Sequence, residues 1–289
     1  MDIGLHLIAS GAVTVEQLKA DAAEAVRSDI HSLWTNLQPG GWDPLTVLPA
    51  LPGGLPVGTA VVPTYPQHPV NLATQTLTVQ ALSEGPLTLG IGPSHESVMA
   101  GEYGIPYTAP ARHTREYLEV LRPLLRGEHV RYSGEFFTVD TGLAIKAAEP
   151  SVLVAALGPR MLEVTRDLAD GTVAVWVRPP MVADYLVPRL GDGQRIAVVV
   201  MVAVTDEPDE VRERIARQYE LINDLPPYRA MLDRGGLDGP ADALVAGPED
   251  VVAREIARFR DAGVTDLIVS HVGAPEDRAR TLDVVTSAI

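Results

Sequence analysis

Apolar residues in this chain come in short continuous runs rather than strict alternation, and stretches with helical spacing fill the intervals between them. The run Ser151-Val-Leu-Val-Ala-Ala-Leu157 leads into the turn Gly158-Pro159-Arg160, a helical pattern from Met161 to Ala169, and a second run, Thr172-Val-Ala-Val-Trp176. No hairpin reversal fits between the two runs. They are therefore read as parallel strands covered on at least one face. Similar runs begin near residues 2, 30, 57, 87, 151, 172, 195 and 265. Between them, Thr14-Val-Glu-Gln17 has capping-box spacing ahead of Leu18, Ala22, Ala25 and Val26. Arg112–Leu125 carries Tyr117, Leu118, Leu121, Leu124 and Leu125 on one stripe. Val70–Leu82 is helical by spacing but rich in Thr and Gln.

Eight strands, mostly followed by helices, predict an α/β chain folded as a (β/α)8 TIM barrel. Two segments break the rhythm and are expected as insertions after strands 4 and 7. Val130–Val139 reads as a hairpin turning around Ser133-Gly134, and Asp224–Gly239, with Pro226-Pro227 and Gly235-Gly236, as an irregular lid. Met99–Pro110 reads as a loop over the same face. No linker interrupts the pattern, so residues 1–289 are expected to form a single domain. A doubly wound sheet is the alternative, but Gly90-x-Gly92 lacks the third glycine of a dinucleotide fingerprint.

Composition narrows the function. The chain has 46% hydrophobic residues and a net charge of −15, a globular composition that disfavours nucleic acid and anionic membranes as partners. It has no cysteine, which excludes disulfides, thiol catalysis and thiolate metal sites. The histidines show no metal-ligand spacing and His6 has no His-x-His partner, so no metal is expected. With no basic leader before the first strand and no apolar run of membrane-spanning length, a cytoplasmic protein is expected.

Candidate chemistry gathers at the strand ends. Gly158-Pro159-Arg160 is either a plain strand-to-helix turn or a helix start whose free N–H groups hold a phosphate beside Arg160. Trp34 either packs in the core or lines a ring-binding cleft. The stiff Pro63–Pro69 loop can wall a site, and its His68 reads as an exposed structural residue. Ser94 and His95 follow strand 4, where barrels place functional groups, but no Gly-x-Ser-x-Gly elbow makes them a hydrolytic pair. Arg112, His113 and Arg115 crowd positive charge at a helix start, which calls for an acidic neighbour.

Across almost its whole length the sequence resembles the bacterial luciferase-like superfamily, and within it the oxidoreductases that use the deazaflavin coenzyme F420. The resemblance is carried by Thr59–Pro66, Leu89-Gly-Ile-Gly-Pro-Ser-His95, Pro106–Arg112, Arg115-Glu-Tyr-Leu118, the Arg131–Phe137 hairpin, Gly158-Pro-Arg-Met161 and Ala246-Gly-Pro-Glu249. It implies a flavin or deazaflavin at the C-terminal mouth of the barrel, backed by a non-prolyl cis peptide within Ala60-Val61-Val62. It also implies a cofactor phosphate near Gly158, Pro159, Arg160 and Met161, with Trp34, Asn36, Ser94 and His95 approaching the ring or its polyol. The implied reaction is hydride transfer between C5 of F420 and a small-molecule substrate. His95 is the candidate proton donor or acceptor, Glu102 and His6 are substitutes, and a structural hydrogen bond is the competing role for His95. Arg112 would balance the phosphate or the acidic tail. An FMN monooxygenase using reduced flavin and oxygen is the main rival, and a barrel that binds cofactor without turnover is another. Relatives suggest a homodimer.

Overall fold

The computed structural model describes residues 1–288. Eight parallel strands form its centre: β1 (Asp2–His6), β2 (Ser32–Thr35), β3 (Val57–Thr59), β4 (Leu87–Gly92), β5 (Ser151–Ala155), β6 (Gly171–Val175), β7 (Arg195–Val204) and β8 (Asp266–His271). Each pairs with the next in sequence, and β8 returns to β1 in the register Leu5 opposite Val269, so the sheet closes. The expected luciferase-like TIM barrel is therefore present. Alternate residues of β5 divide the core: Val152 and Val154 pack toward the helices, while Leu153 joins Trp34, Val173, Ala197 and Ile268 in a separate cluster inside the barrel.

Trp34 is the largest of these interior side chains, and the strands beside it make room by carrying glycine. A Cβ on Gly4 would lie 2.6 Å from the indole Cδ1, and one on Gly58 would strike the other edge of the same ring. The indole N–H donates to Ser32 Oγ at 2.8 Å. Trp34 and Arg195 line the same N-terminal end of the barrel. The Arg195 guanidinium pairs with Asp266 at 2.6 Å and donates to Thr88 Oγ1 and Ser151 Oγ, both at 3.1 Å. All four residues lie at the N-terminal ends of their strands, so the polar groups of that end answer one another in a single cluster.

The insertions fall where expected but are more ordered than the sequence suggests. After β4, Val130–Ser133 and Thr138–Thr141 form the antiparallel hairpin. It is docked by Glu116, whose buried carboxylate accepts from the backbone N–H groups of Glu135 at 3.1 Å and Phe136 at 2.8 Å. The segment expected as an irregular lid holds a helix, Pro226–Gly235. Pro226 and Pro227 occupy its first turn, where no N–H is needed, and Gly236 ends it at φ +65°. A short strand, Val245–Gly247, which the sequence reading did not assign, pairs with the far end of β7. The expected Met99–Pro110 loop begins inside a π-helical turn, Ser97–Glu102.

Replacing Arg195 with Met leaves the Asp266 carboxylate buried without its cation. The expected loss is about 3 kcal/mol of unfolding free energy in a urea titration. Ligand binding at the opposite end of the barrel is expected to stay unchanged.

Candidate functional site

The C-terminal ends of the strands open into a cleft of about 970 Å³. Ala60, Val61, Ala155, Val173 and Val175 give it an apolar floor. The chain reaches this floor through a bulge: it leaves β3 at Thr59, passes the cis peptide Ala60–Val61, and resumes beside β4 at Val62–Pro63. Ala60 N–H donates to Thr35 O at 2.8 Å, and Leu37 N–H to Val61 O at 3.2 Å. Gly90 and Thr59 lock the bulge to β4 by a reciprocal pair, Gly90 N–H to Thr59 Oγ1 at 2.8 Å and Thr59 O–H to the Gly90 carbonyl at 2.7 Å. A Cβ on Gly90 would collide with the Thr59 carbonyl oxygen, and one on Gly92 would sit 3.1 Å from Val61. The Gly-x-Gly pair is thus clearance for the bulge.

One wall is the loop after β4. Ser94 stands there at φ +64°, and its carbonyl accepts from the Tyr107 hydroxyl at 3.0 Å. His95 lines the cleft with its ring 5.0 Å from that of Tyr228. Burial holds its pKa below the usual histidine value, which leaves the imidazole neutral at neutral pH. Across from it begins the helix Pro159–Leu168. Gly158, in extended conformation, supplies no side-chain cap, and Pro159 has no N–H. The N–H groups of the first turn are therefore open to a ligand, and Gly158 through Met161 line the cleft.

The charge of the lining is opposite to that of the chain. Three arginines (Arg112, Arg160 and Arg234) reach the cleft and none of its lining residues is acidic, although the sequence has 38 carboxylates against 23 basic residues. Arg112 is already engaged by Glu135 at 2.5 Å and Glu116 at 3.8 Å, so the acidic neighbours anticipated for that helix start are present and its charge is spent locally. Arg160 is exposed and has no carboxylate within 4.0 Å among the described residues.

Of the residues singled out in the sequence, the structure brings Asn36, Ala60, Val61, Ser94, His95, Gly158, Pro159, Arg160 and Met161 together. Three others stand apart. Trp34 is 1% exposed inside the barrel, because Gly4 and Gly58 admit its ring there, and it does not reach the cleft. Val62 is fully buried behind the bulge. Glu102 is exposed at the end of the π-helical turn and outside the lining. His6 is also absent from the lining; its Nε2 lies 3.1 Å from Asn36 Oδ1, and desolvation lowers its pKa to about 4. His68 Nδ1 accepts from Val70 N–H at 3.3 Å, a helix cap, as its structural reading required. The reading missed Tyr228, Met231 and Arg234, all on the insertion helix. Its buried Met231-Leu232 pair was the available signal, masked by the flanking prolines and glycines.

An aromatic brace supports the Ser94 wall from outside. Tyr107 packs on Tyr65 at 4.8 Å, Tyr65 stacks on His113 at 3.9 Å and 8°, and Phe136 and Phe137 of the hairpin meet His113 edge-on at 5.1 and 5.2 Å. The hairpin is thereby tied to the residue that holds the Ser94 carbonyl. Within the brace, burial drives the His113 pKa down to about 4, against a smaller upward pull from Glu116.

Comparison with known proteins decides the family, since the model of the family described as "Luciferase-like monooxygenase" matches residues 9–288. The chain belongs to that family. Among curated relatives, the 5,10-methylenetetrahydromethanopterin reductase of Methanopyrus kandleri is 25% identical, over 81% of this chain and 82% of its own. The solved structure of the coenzyme F420-dependent tetrahydromethanopterin reductase from M. kandleri superposes with a TM-score of 0.75 at 20% identity, covering 100% of this chain and 98% of the other. EDTA monooxygenase from Chelativorans sp. BNC1 gives a TM-score of 0.80 at 16% identity, with 99% and 92% covered. The chain is thus a luciferase-like barrel of the flavin- and deazaflavin-dependent oxidoreductase superfamily. No helix among the described residues is long and apolar enough to cross a membrane.

The brace predicts an acid-sensitive stability. An unfolded chain protonates His113 below about 6.5, whereas the folded chain resists until about 4, so the unfolded state gains protons first and stability falls between those values as pH drops. His113→Phe keeps the ring and removes the titration. It is expected to flatten the decline in unfolding free energy from pH 7 to pH 5 by about 1–2 kcal/mol, measured by chemical denaturation at each pH.

Proposed function

We propose that this luciferase-like barrel is an F420-dependent oxidoreductase that passes a hydride between the deazaflavin C5 and a small organic substrate. The observation that carries the proposal is the acid-free cleft, with its apolar floor at one end and the uncapped Pro159 helix start beside Arg160 at the other. A planar ring with a phosphate-bearing chain matches that division. The first-turn N–H groups of Arg160 and Met161 and the Arg160 guanidinium would hold the phosphate. Ala60 and Val61 would back the ring, and the insertion helix with Tyr228 and Met231 would keep water from its open face. The choice of F420 over FMN follows the reductase relatives, which match over about four-fifths of both chains. The monooxygenase reading stays as the rival because EDTA monooxygenase shares the fold.

Bound F420 supplies the hydride donor or acceptor. The protein's own contribution is positioning and proton handling. A neutral His95 imidazole at the rim is suited to accept a proton at a ring nitrogen as a substrate hydroxyl is oxidised, and in the reverse direction to return it.

Equilibrium titration of the purified protein is expected to give tighter binding of oxidised F420 than of FMN. Arg160→Gln is expected to weaken F420 about tenfold, the worth of a charge-assisted hydrogen bond. His95→Phe is expected to leave F420 affinity within about twofold while lowering kcat about 10²-fold for alcohol or ketone substrates, the loss of a proton-transfer group. Binding of FMN alone moves the assignment to the monooxygenase reading. Binding of neither cofactor overturns both, and bound cofactor without turnover on a broad substrate panel favours a non-catalytic barrel.

A further inference from the structure

Most arginines in this acidic chain are matched to carboxylates, but besides Arg160 two that meet at the Tyr185 ring are not, and of these Arg234 lines the cleft. The guanidinium carbons of Arg189 and Arg234 lie 3.9 and 4.0 Å from the centroid of the Tyr185 ring. Two guanidiniums cannot share one face of a ring at that height, so each takes a face. The ring itself is fixed: Tyr185 is 5% exposed, and its hydroxyl donates to the Leu157 carbonyl at 3.1 Å, one residue before the helix cap Gly158.

The other contacts of the two arginines leave their charges unanswered. Arg189 donates to the Tyr185 carbonyl at 3.2 Å, and Arg234 to the Met231 sulfur at 3.5 Å, a weak acceptor. Neither has a carboxylate within 4.0 Å among the described residues, and Asp233, next to Arg234, is taken by Arg229 at 2.7 Å. Arg234 lines the cleft, where no acidic residue does. Stacking holds a guanidinium plane while leaving edge N–H groups free to meet an anion. Because the two planes lie on opposite faces, they suit separate negative groups on an extended chain better than one chelated carboxylate.

We propose that Arg189 and Arg234, stacked on the two faces of Tyr185, bind carboxylate or phosphate groups at the outer edge of the cleft, separately from the anion at the Pro159 helix start. The proposal rests on the reading of the cleft as an anionic-cofactor site. The negative groups come either from the acidic chain of the cofactor or from an acidic substrate. The helix that carries Arg234 is the insertion Pro226–Gly235, so occupancy of this site would also fasten that helix over the cleft.

The test is a titration of wild type, Arg189→Gln, Arg234→Gln and Arg160→Gln with three probes: F420, FMN, and the deazaflavin chromophore that lacks phosphate and acidic chain. Arg189→Gln and Arg234→Gln are each expected to weaken F420 about tenfold at low salt and leave FMN and the bare chromophore unchanged. Arg160→Gln is expected to weaken both F420 and FMN, and Arg234→Lys to recover part of the F420 loss. If F420 affinity holds but KM rises for a carboxylated substrate and not for its methyl ester, the site stands with the substrate as the source. Unchanged affinity and KM, or an equal loss on all three probes, overturns it. Should wild type bind neither cofactor, the cofactor reading falls by itself and the arginines are tested with triglutamate: binding lost in the Arg189→Gln/Arg234→Gln double variant supports the site, and no binding to wild type overturns it.

Discussion

Between Thr59 and Gly90 there is no space for a side chain, and the working end of the barrel is laid out from that contact. The two residues exchange hydrogen bonds at 2.7 and 2.8 Å, which fixes the point where β3 stops being a regular strand. Beyond it the chain turns through Ala60 and Val61 into the barrel mouth, and Gly92 stays bare so that Val61 can lie against β4. An alanine at residue 90 would push the bulge away from β4, and with it the surface on which a ring would rest. The floor of the cleft is therefore a consequence of backbone packing, not of any one functional side chain.

The two ends of the barrel solve the problem of buried polarity in opposite ways. At the N-terminal end, Arg195 finds Asp266, Thr88 and Ser151, and its polar atoms are satisfied internally, which is the condition for a polar plug to be stable. At the C-terminal end, the helix-start N–H groups and Arg160 have no such internal answer. A chain of net charge −15 would readily supply a carboxylate there by chance, and the lining holds none. Answering the polar groups of one end internally and leaving cationic groups open at the other is the arrangement expected of a barrel that binds an anion at its mouth.

The barrel was legible because its signal is repeated: eight apolar runs, parallel by the length of what separates them, leave few topologies. The helix start at Gly158-Pro159 was legible because the chemistry is local. What the sequence concealed depends on contacts between distant residues. Whether Trp34 faces the mouth or the interior is decided by Gly4 and Gly58, on the two strands flanking its own, and nothing at residue 34 announces it. Glu102, named as a substitute proton donor, ends the π-helical turn that follows His95, and that turn leaves it in solvent. The insertion helix was hidden because Pro226-Pro227 and Gly235-Gly236, which read as loop residues, are its start and stop.

The rim of the cleft is assembled from the parts of the chain that depart most from the barrel rhythm, and the brace explains how loosely related segments hold a fixed wall. Glu116 binds the hairpin backbone, Phe136 and Phe137 pack on His113, His113 on Tyr65, and Tyr65 on Tyr107, whose hydroxyl reaches Ser94. The ring-to-ring links join partners that burial keeps uncharged: desolvation raises the phenol pKa of Tyr65 and Tyr107 to about 12 and lowers His113. The brace therefore adds rigidity to the wall without adding charge to the cleft. Its rigidity comes from ring packing and buried hydrogen bonds, both insensitive to salt, whereas the proposed anion site on the other side would rely on exposed arginines whose attraction salt screens. A ligand held between them would have its ring end fixed by shape and its charged end by a field that ionic strength can tune.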